Sequence, residues 1–307
     1  MSHLARTILI AALLAMLAIP VHASAQRPND TRYPYVAIDL GTLGGPSAYG
    51  SNPGQWITNS GGVLAEADTT TLDPDYASMT NLLTGNNTEN VDPNISHAVL
   101  WHNSVLTDLG ALPGNNVSEP FEMNATGEVV GTSETGATDP DPLVSAAGFP
   151  EGHAVVWKDG HITDLNTLGG RESFGSWIND EGQVVGWATN AVPDSFTMYN
   201  WFPAGTQMRA FVWQNGHMQD LGTLGGPDSQ AQYINDRGQV AGQSFTIATV
   251  NATTGMPTEH PFLWQNGHMQ DLGTLGGTLT LPATDGSGGL NDRGEVIGQS
   301  ALLGTHR

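Results

Sequence analysis

A three-part pattern repeats along this chain, and it leaves few folds open. Runs that end in tryptophan begin at His97, His153, Arg209 and His260 and finish at Trp101, Trp157, Trp213 and Trp264. An Asp-Leu-x-x-Leu element follows each, at Asp108, Asp164, Asp220 and Asp271, and a further copy at Asp39 has no tryptophan run ahead of it. Each unit closes on an Asn-x-x-Gly string followed by small and branched apolar residues, starting at Asn124, Asn179, Asn235 and Asn291. A degenerate closure is placed at Asn59, with Glu66 standing where the others carry Gly. Self-similarity at on the order of 50–70 residues marks an architecture of serial supersecondary units, and that length accommodates four short strands with a variable loop.

The turns carry their own mechanism. Asp159-Gly160, Asn215-Gly216 and Asn266-Gly267 lie between apolar runs, and such pairs supply the positive φ angles of a two-residue type I′ hairpin. In the closures, the Gly of Asn-x-x-Gly stands where a three-residue hairpin takes a left-handed residue and a bulge. No helical period occurs in the repeats. Each unit therefore reads as a four-stranded antiparallel meander, the tryptophan run forming its first strand and the closure its last. Inner strands such as residues 154–157 are apolar on both faces, so a lone sheet would leave one face wet. Neighbours must cover it, which gives an all-β array of tandem units: a five-bladed β-propeller, incomplete at its ends, with an open solenoid of small sheets as the competitor.

The boundaries follow. Arg6, an apolar run over residues 8–19 and the small residues Ala23, Ser24 and Ala25 form a secretory signal over residues 1–25. The run is too short to span a bilayer as a helix. A tail over 26–32 then leads into one repeat domain over 33–307, with units near 33–66, 97–133, 153–189, 209–245 and 260–307. The chain is expected to be secreted or periplasmic, with no membrane insertion once the signal is removed. Unit one lacks its first strand, and His306 aligns with His260 where another tryptophan run is due. Truncation is the expected account, leaving an open edge at residues 36–40; the alternative has residues 28–36 folding back over that edge.

The chain has 9 Lys and Arg against 30 Asp and Glu, for a net charge of −21, and loss of Arg6 with the signal makes the mature protein more acidic still. Phosphate backbones and anionic membranes are bound through clustered Lys and Arg, so neither is an expected partner. Calcium is the ion such acidity admits, although no Asp-x-Asp-x-Asp-Gly loop occurs. No cysteine is present, so burial and hydrogen bonding alone stabilise the fold.

Taken together, the His-Ala-x-x-Trp runs, the Asp-Leu-Gly-Thr-Leu-Gly-Gly elements and the Asn-Asp-x-Gly-x-Val closures resemble the bacterial extracellular repeats named HAF, over nearly all of the chain beyond residue 33. The resemblance implies export and a repetitive β architecture, and it carries no catalytic residue to transfer. Arg209 in place of His and Glu66 in place of Gly depart from the pattern.

Residues that recur in every unit are expected to serve the unit. Trp101, Trp157, Trp213 and Trp264 should pack between neighbours; Asp39, Asp108, Asp164, Asp220 and Asp271 should accept backbone N–H groups of the tight turn that follows; His97, His153 and His260 should hydrogen-bond at a strand start. A metal held by these imidazoles or carboxylates is the competing reading, and no metal ligand is assigned. Variation between units is more informative. Long loops, near 67–96, 134–152, 188–208 and 245–259, all fall between the closure of one unit and the tryptophan run of the next, on one face of the array, where a rigid scaffold can present a binding surface. Phe196, Tyr199, Trp201 and Phe202, with Asp194, are the candidate ligand-binding residues, because flat rings stack on sugars or anchor a protein partner. Acids at Asp73, Asp75, Asp92, Asp139, Asp141 and Glu259 sit in the same loops.

Motifs for a serine nucleophile, a zinc helix or a phosphate loop are missing. The sequence thus favours a non-catalytic module that binds a glycan or an extracellular protein. Two alternatives stay open: a polysaccharide hydrolase or lyase using loop carboxylates, and a structural segment of a longer surface protein.

Overall fold

The structure, a computed structural model, describes residues 37–50, 57–58, 61–74, 93–114, 116–138, 150–194, 205–250, 252, 257–282 and 289–302. The expected signal and tail, the aromatic residues Phe196, Tyr199, Trp201 and Phe202, and Asp75, Asp92, Asp139, Asp141 and His306 lie outside them. Among the described residues every regular element is a strand, and no helix is long and apolar enough to cross a membrane.

Four antiparallel sheets have four strands each, in sequence order. The first holds β1 (Ala48–Tyr49), β2 (Val63–Leu72), β3 (Asn94–His102) and β4 (Val105–Asp108). The second holds β5 (Ser118–Met123), β6 (Val129–Thr138), β7 (Pro150–Lys158) and β8 (His161–Asp164). The third holds β9 (Gly169–Ile178), β10 (Val184–Pro193), β11 (Thr206–Gln214) and β12 (His217–Asp220). The fourth holds β13 (Ser229–Ile234), β14 (Val240–Val250), β15 (Pro257–Gln265) and β16 (His268–Asp271). A fifth sheet has two strands, β17 (Gly276–Pro282) and β18 (Gly298–Leu302). Among the described residues no sheet closes on itself.

These sheets are cut half a unit away from the sequence reading. The closure hairpin supplies the first two strands of a sheet, and the tryptophan run and Asp-Leu element of the next unit supply the last two, so each sequence unit is shared between adjacent sheets. The long segments near 67–96, 134–152, 188–208 and 245–259 consequently join strands within one sheet. Their described residues are largely strand: β2, β6, β10 and β14 run on through a register shift and pair again at Leu72 with Asn94, Thr138 with Pro150, Pro193 with Thr206 and Val250 with Pro257. Each middle pair thus extends past the sheet body as a two-stranded ribbon.

Both local turn chemistries operate. Asp159 and Gly160 have φ of 51° and 75°, Asn215 and Gly216 of 53° and 80°, and Asn266 and Gly267 of 53° and 78°, the left-handed pair that a type I′ turn requires. In the closures the Gly N–H returns to the Asn carbonyl, as from Gly182 to Asn179 at 3.0 Å. The first unit does this one residue earlier than its sequence alignment suggests. Gly61 N–H bonds the Thr58 carbonyl, and the Thr58 hydroxyl accepts the Gly62 N–H at 2.9 Å, as the Asn179 side chain accepts the Gln183 N–H. Ala65, and not Glu66, therefore occupies the position of Gly131, Gly186 and Gly242.

That glycine is required by close approach. The first strand of each complete sheet bulges opposite it, between Pro120 and Glu122, between Gly175 and Trp177, and between Ala231 and Tyr233, and an extra residue on one strand drives its backbone toward the partner. A Cβ on Gly131, Gly186 or Gly242 would meet the carbonyl oxygen of Glu119, Phe174 or Gln230 at 2.0, 1.8 or 2.1 Å.

The core is a set of layers between sheets. Leu64 and Ala98 of the first pack on Val129, Val155 and Trp157 of the second. Val130, Ala154 and Val156 of the second pack on Ile178, Val184 and Phe211 of the third. Val185 and Ala210 of the third pack on Ala231, Val240 and Phe262 of the fourth. Trp157 lies in the first layer, and Trp213 and Trp264 border the next two; Trp157 also donates its indole N–H to the Gly110 carbonyl at 3.1 Å, while Trp101 is half-buried. A hydrogen-bond relay crosses each layer: Ala98, Ala154 and Ala210 donate their N–H to Ser118, Ser173 and Ser229 of the following sheet, whose hydroxyls donate to the carbonyls of Gly110, Asn166 and Gly222. Pro261 occupies the alanine position of the fourth sheet and has no N–H to give.

Gly186→Ala should lower the unfolding free energy by about 1–3 kcal/mol, because the new methyl cannot be accommodated without opening the bulge. Ala65→Gly, at the matching position of the first sheet, should cost under about 1 kcal/mol. Urea denaturation of the two variants measures the difference.

Candidate functional site

The closure turns gather at one end of the array and are wired to one another. Asn124 Nδ2 donates to the Asn179 carbonyl at 3.0 Å, Asn179 Nδ2 to the Asn235 carbonyl at 3.0 Å, and Asn235 Nδ2 to the Asn291 carbonyl at 2.8 Å. Alongside, the N–H groups of Ala125, Asp180 and Asp236 donate to the Oδ1 atoms of Asp180, Asp236 and Asp292. Each Asn side chain also accepts N–H groups of its own turn, as Asn235 Oδ1 does from Arg237 and Gln239. A short Asn-Asp string thus satisfies its own hairpin and the next sheet's. The turns surround a cavity of about 670 Å³ whose walls include Thr58, Glu122, Trp177, Asp180, Asp236 and Asp292, so all five sheets contribute to it.

The ribbons leave from the opposite ends of the same strands. They carry exposed aliphatic side chains: Leu72 on the first, Val192 on the third, and Ile247 and Val250 on the fourth are 67%, 49%, 48% and 36% exposed. At the root of the ribbons lies a cleft of about 720 Å³ between the second and third sheets, lined by Glu151, His153, Thr167, Arg171, Glu172 and Asn190 among others. Arg171 pairs with Glu151 at 2.8 Å, and Glu172 accepts the Gly152 N–H at 2.8 Å. Between the first and second sheets the matching cleft is smaller, about 290 Å³.

Asp194 ends the third sheet's ribbon, where its N–H donates to the Gly205 carbonyl at 3.0 Å. That bond joins the two flanks of the segment carrying Phe196, Tyr199, Trp201 and Phe202, which itself lies outside the described residues. Glu259 corrects the reading of loop acids. It is on β15, 3% exposed, where burial pushes its carboxyl up to about 7, so it is not a charge offered on a loop.

The recurring His and Asp residues meet each other. His97, His153 and His260 bond Asp108, Asp164 and Asp271 through Nδ1 at 3.0, 2.9 and 2.9 Å, and Arg209 replaces the imidazole with its Nε, 3.2 Å from Asp220. The same carboxylates accept the N–H two residues on, from Gly110, Asn166, Gly222 and Gly273, each at 2.7 Å; Asp39 likewise accepts from Gly41 at 2.9 Å. Burial alone would raise Asp108 and Asp164, but the imidazole and backbone hydrogen bonds outweigh it and hold both below the usual carboxylate range. The His161, His217 and His268 side chains beyond the turns are exposed. Among the described residues no three His, Asp or Glu side chains are grouped so as to hold a metal ion.

A second buried acid was not singled out for its chemistry by sequence. Glu66, 7% exposed on β2, is pushed up to about 8, first by burial and then by the charge of Glu119 across the layer, against an opposing hydrogen bond from Ser96 at 3.4 Å. The Asn-Asp relay was also missed: its signal is a polar pair present in three of the four full closures, at Asn179-Asp180, Asn235-Asp236 and Asn291-Asp292, but the partner of each lies in another unit.

Comparison with protein-family models, with curated proteins and with solved structures finds no match to this chain.

Asn235→Ala should cost about 1–3 kcal/mol of stability, since it strands the Asn291 carbonyl and two N–H groups of its own turn. A pH series tests the buried acids. Glu66 and Glu259 bind a proton in the folded state at pH values where the unfolded chain has lost it, so the stability they contribute is present below about pH 4.5 and lost as pH rises through about 7 to 8. His153, raised above its usual 6.5 against the opposing effect of burial, mainly by Asp164, loses its contribution in the same direction. The urea midpoint should fall between pH 5 and pH 8, and Glu259→Gln should flatten that slope.

Proposed function

We propose that this chain is an exported, non-catalytic binding module of propeller architecture that holds an extracellular protein on its ribbon end. The propeller reading is supported by a cavity walled by closure turns from all five sheets, because a linear stack would carry the first and last turns away from a common centre. Export and the HAF-type kinship rest on the leader and repeats in the sequence.

The observation that carries the binding reading is the exposure of Leu72, Val192, Ile247 and Val250 on ribbons that project from one end. The layers between the sheets bury apolar residues such as Val130, Val184 and Phe211 completely, whereas the ribbons present aliphatic side chains to water. Burying such side chains against a partner gains the transfer free energy that water withholds. The wide cleft below, with Arg171 and acids at its edges, supplies a polar rim of the kind that surrounds an apolar contact. The same end carries Asp194 and Gly205, the paired flanks of the sequence segment that contains Phe196, Tyr199, Trp201 and Phe202.

Screening the mature chain against arrayed extracellular proteins and glycans tests this. A bound protein should dissociate at least about tenfold faster from a Val192→Ser, Ile247→Ser double variant, and a Val105→Ser control on β4 should behave as wild type. Binding that ignores the ribbons but disappears in Trp177→Ala would move the ligand to the closure cavity and sink the proposal, as would a signal for glycans alone.

A further inference from the structure

The closure cavity, about 670 Å³, lies within the roughly 300–1,000 Å³ of sites that enclose a small molecule. Most residues around it recur from unit to unit and have a structural part. The Asn side chains bridge neighbouring turns, and the Oδ1 atoms of Asp180, Asp236 and Asp292 accept backbone N–H groups. One position does not recur. The residue just past the bulge of the first strand is Glu122, Trp177 and Tyr233 in the second, third and fourth sheets, aligned by pairing with Val130, Val185 and Ala241. Gly289 aligns with them in the last closure, one residue before the bridge from Leu290 to Val296, and a Cβ there would meet the Tyr233 ring at 2.7 Å.

These side chains put chemistry at the cavity that the repeat does not need. Trp177 and Glu122 both line it. Trp177 and Tyr233 meet edge to face, with ring centroids 5.1 Å apart at 67°, so a partner on the next sheet fixes the indole. Glu122, 5% exposed, sets a carboxyl group in the wall on the preceding sheet. The Oδ2 atoms of Asp180, Asp236 and Asp292 have no partner among the described residues and add carboxylate oxygens at the turns. No Lys or Arg is among the described residues of the lining, and His102 is its one imidazole. Nearby, Arg293 pairs with Glu295 and Lys158 with Glu128.

We infer that the closure cavity binds a small aliphatic polyamine, with one ammonium group at Trp177 and Glu122 and the others at the Asp180, Asp236 and Asp292 turns. An aromatic face attracts a cation through its quadrupole, and tryptophan does so best. A carboxylate beside the ring compensates the water that the ammonium gives up, through a charge-assisted hydrogen bond. Leu100, Ile178 and Ile234 line the same cavity and suit the methylene spacers between the charges. A metal ion fits this set less well. Among the described residues no three acids are grouped so as to hold one, and a hard cation takes oxygen ligands, not an indole. An ammonium chain meets its carboxylates one at a time, turn by turn. The cavity lies at the opposite end of the strands from the ribbons, and its ligand is independent of the protein-binding reading.

The test is isothermal titration of the mature chain with spermidine at physiological ionic strength. Saturable one-to-one binding is expected, reproduced neither by magnesium chloride nor by uncharged triethylene glycol. A chain of net charge −21 attracts any polycation diffusely, so stoichiometry and variants decide. Trp177→Leu should weaken binding about three- to thirtyfold, with Trp177→Phe intermediate, and Glu122→Gln should weaken it at least about tenfold. The Asp236→Asn, Asp292→Asn double variant keeps the Oδ1 acceptors of the relay, so its urea midpoint should stay near wild type while affinity falls about three- to tenfold. The Val192→Ser, Ile247→Ser variant should bind spermidine as wild type does, which separates this site from the ribbons. No binding, uptake of several equivalents, or affinity unchanged in both Glu122→Gln and the Asp double variant would overturn the site. Tighter binding of trilysine, which has the same net charge, would assign the cavity to a lysine-bearing chain and overturn the small-molecule ligand.

Discussion

Everything in this molecule depends on sheets whose middle strands are apolar on both faces. Val155, Val156 and Trp157 point alternately to the two sides of β7, and all are nearly or fully buried. A four-stranded sheet of this kind is unstable in water until each face meets another sheet, so stability is a property of the interfaces between units. The polar groups along those interfaces have to be satisfied by residues of two units at once. The Ser relay does this at the ribbon side of each layer, and the Asn-Asp relay does it at the closure side. Both use small side chains held by their own turns, which keeps the entropy of making the inter-sheet bond low.

The electrostatics follow from the same arrangement. An acid placed on a strand face is placed in a layer, where water cannot stabilise its charge. Glu66 lies in the layer between the first and second sheets, and Glu259 lies on the fourth sheet, and burial raises the proton affinity of both. The His-Asp pairs sit nearer the edge. There the imidazole and the backbone N–H groups compensate the carboxylate, and in the third sheet Arg209 supplies the donor in place of His.

How much of this was legible in the sequence depended on whether a feature was local. The hairpins were, because Asp159-Gly160 and the Asn-x-x-Gly closures impose backbone angles without outside help. The phase of the sheets was not. A periodic pattern has no intrinsic beginning, and cutting it before the tryptophan run or after the Asp-Leu element leaves the same string. Only pairing decides, and pairing places the closure hairpin ahead of the next tryptophan run. The slip in the first unit has a chemical cause: the Thr58 hydroxyl performs the Asn role with a different side chain, so aligning on Asn59 displaced Glu66 into the glycine position. The His-Asp pairing was within reach, because the two residues recur together. Arg209 was the signal, since it replaced His while its Asp partner stayed unchanged.

Repetition and function divide the surface between them. A residue that appears in every unit is explained by the unit, and the interfaces consume nearly all of the recurring ones: the Trp positions, the Asp turns, the Asn-Asp relay. The surface open to a partner therefore consists of places where the units differ. The ribbons differ because each extends the middle strands by its own length and sequence, and β18 differs because among the described residues β17 alone pairs with it. These two places also hold most of the large aliphatic side chains exposed to water. A ribbon can vary without disturbing the layers beneath it, so its specificity is free to change. The register at β18, by contrast, is set by the same valine and glycine spacing that builds every other sheet, so that strand is not free to vary in the same way.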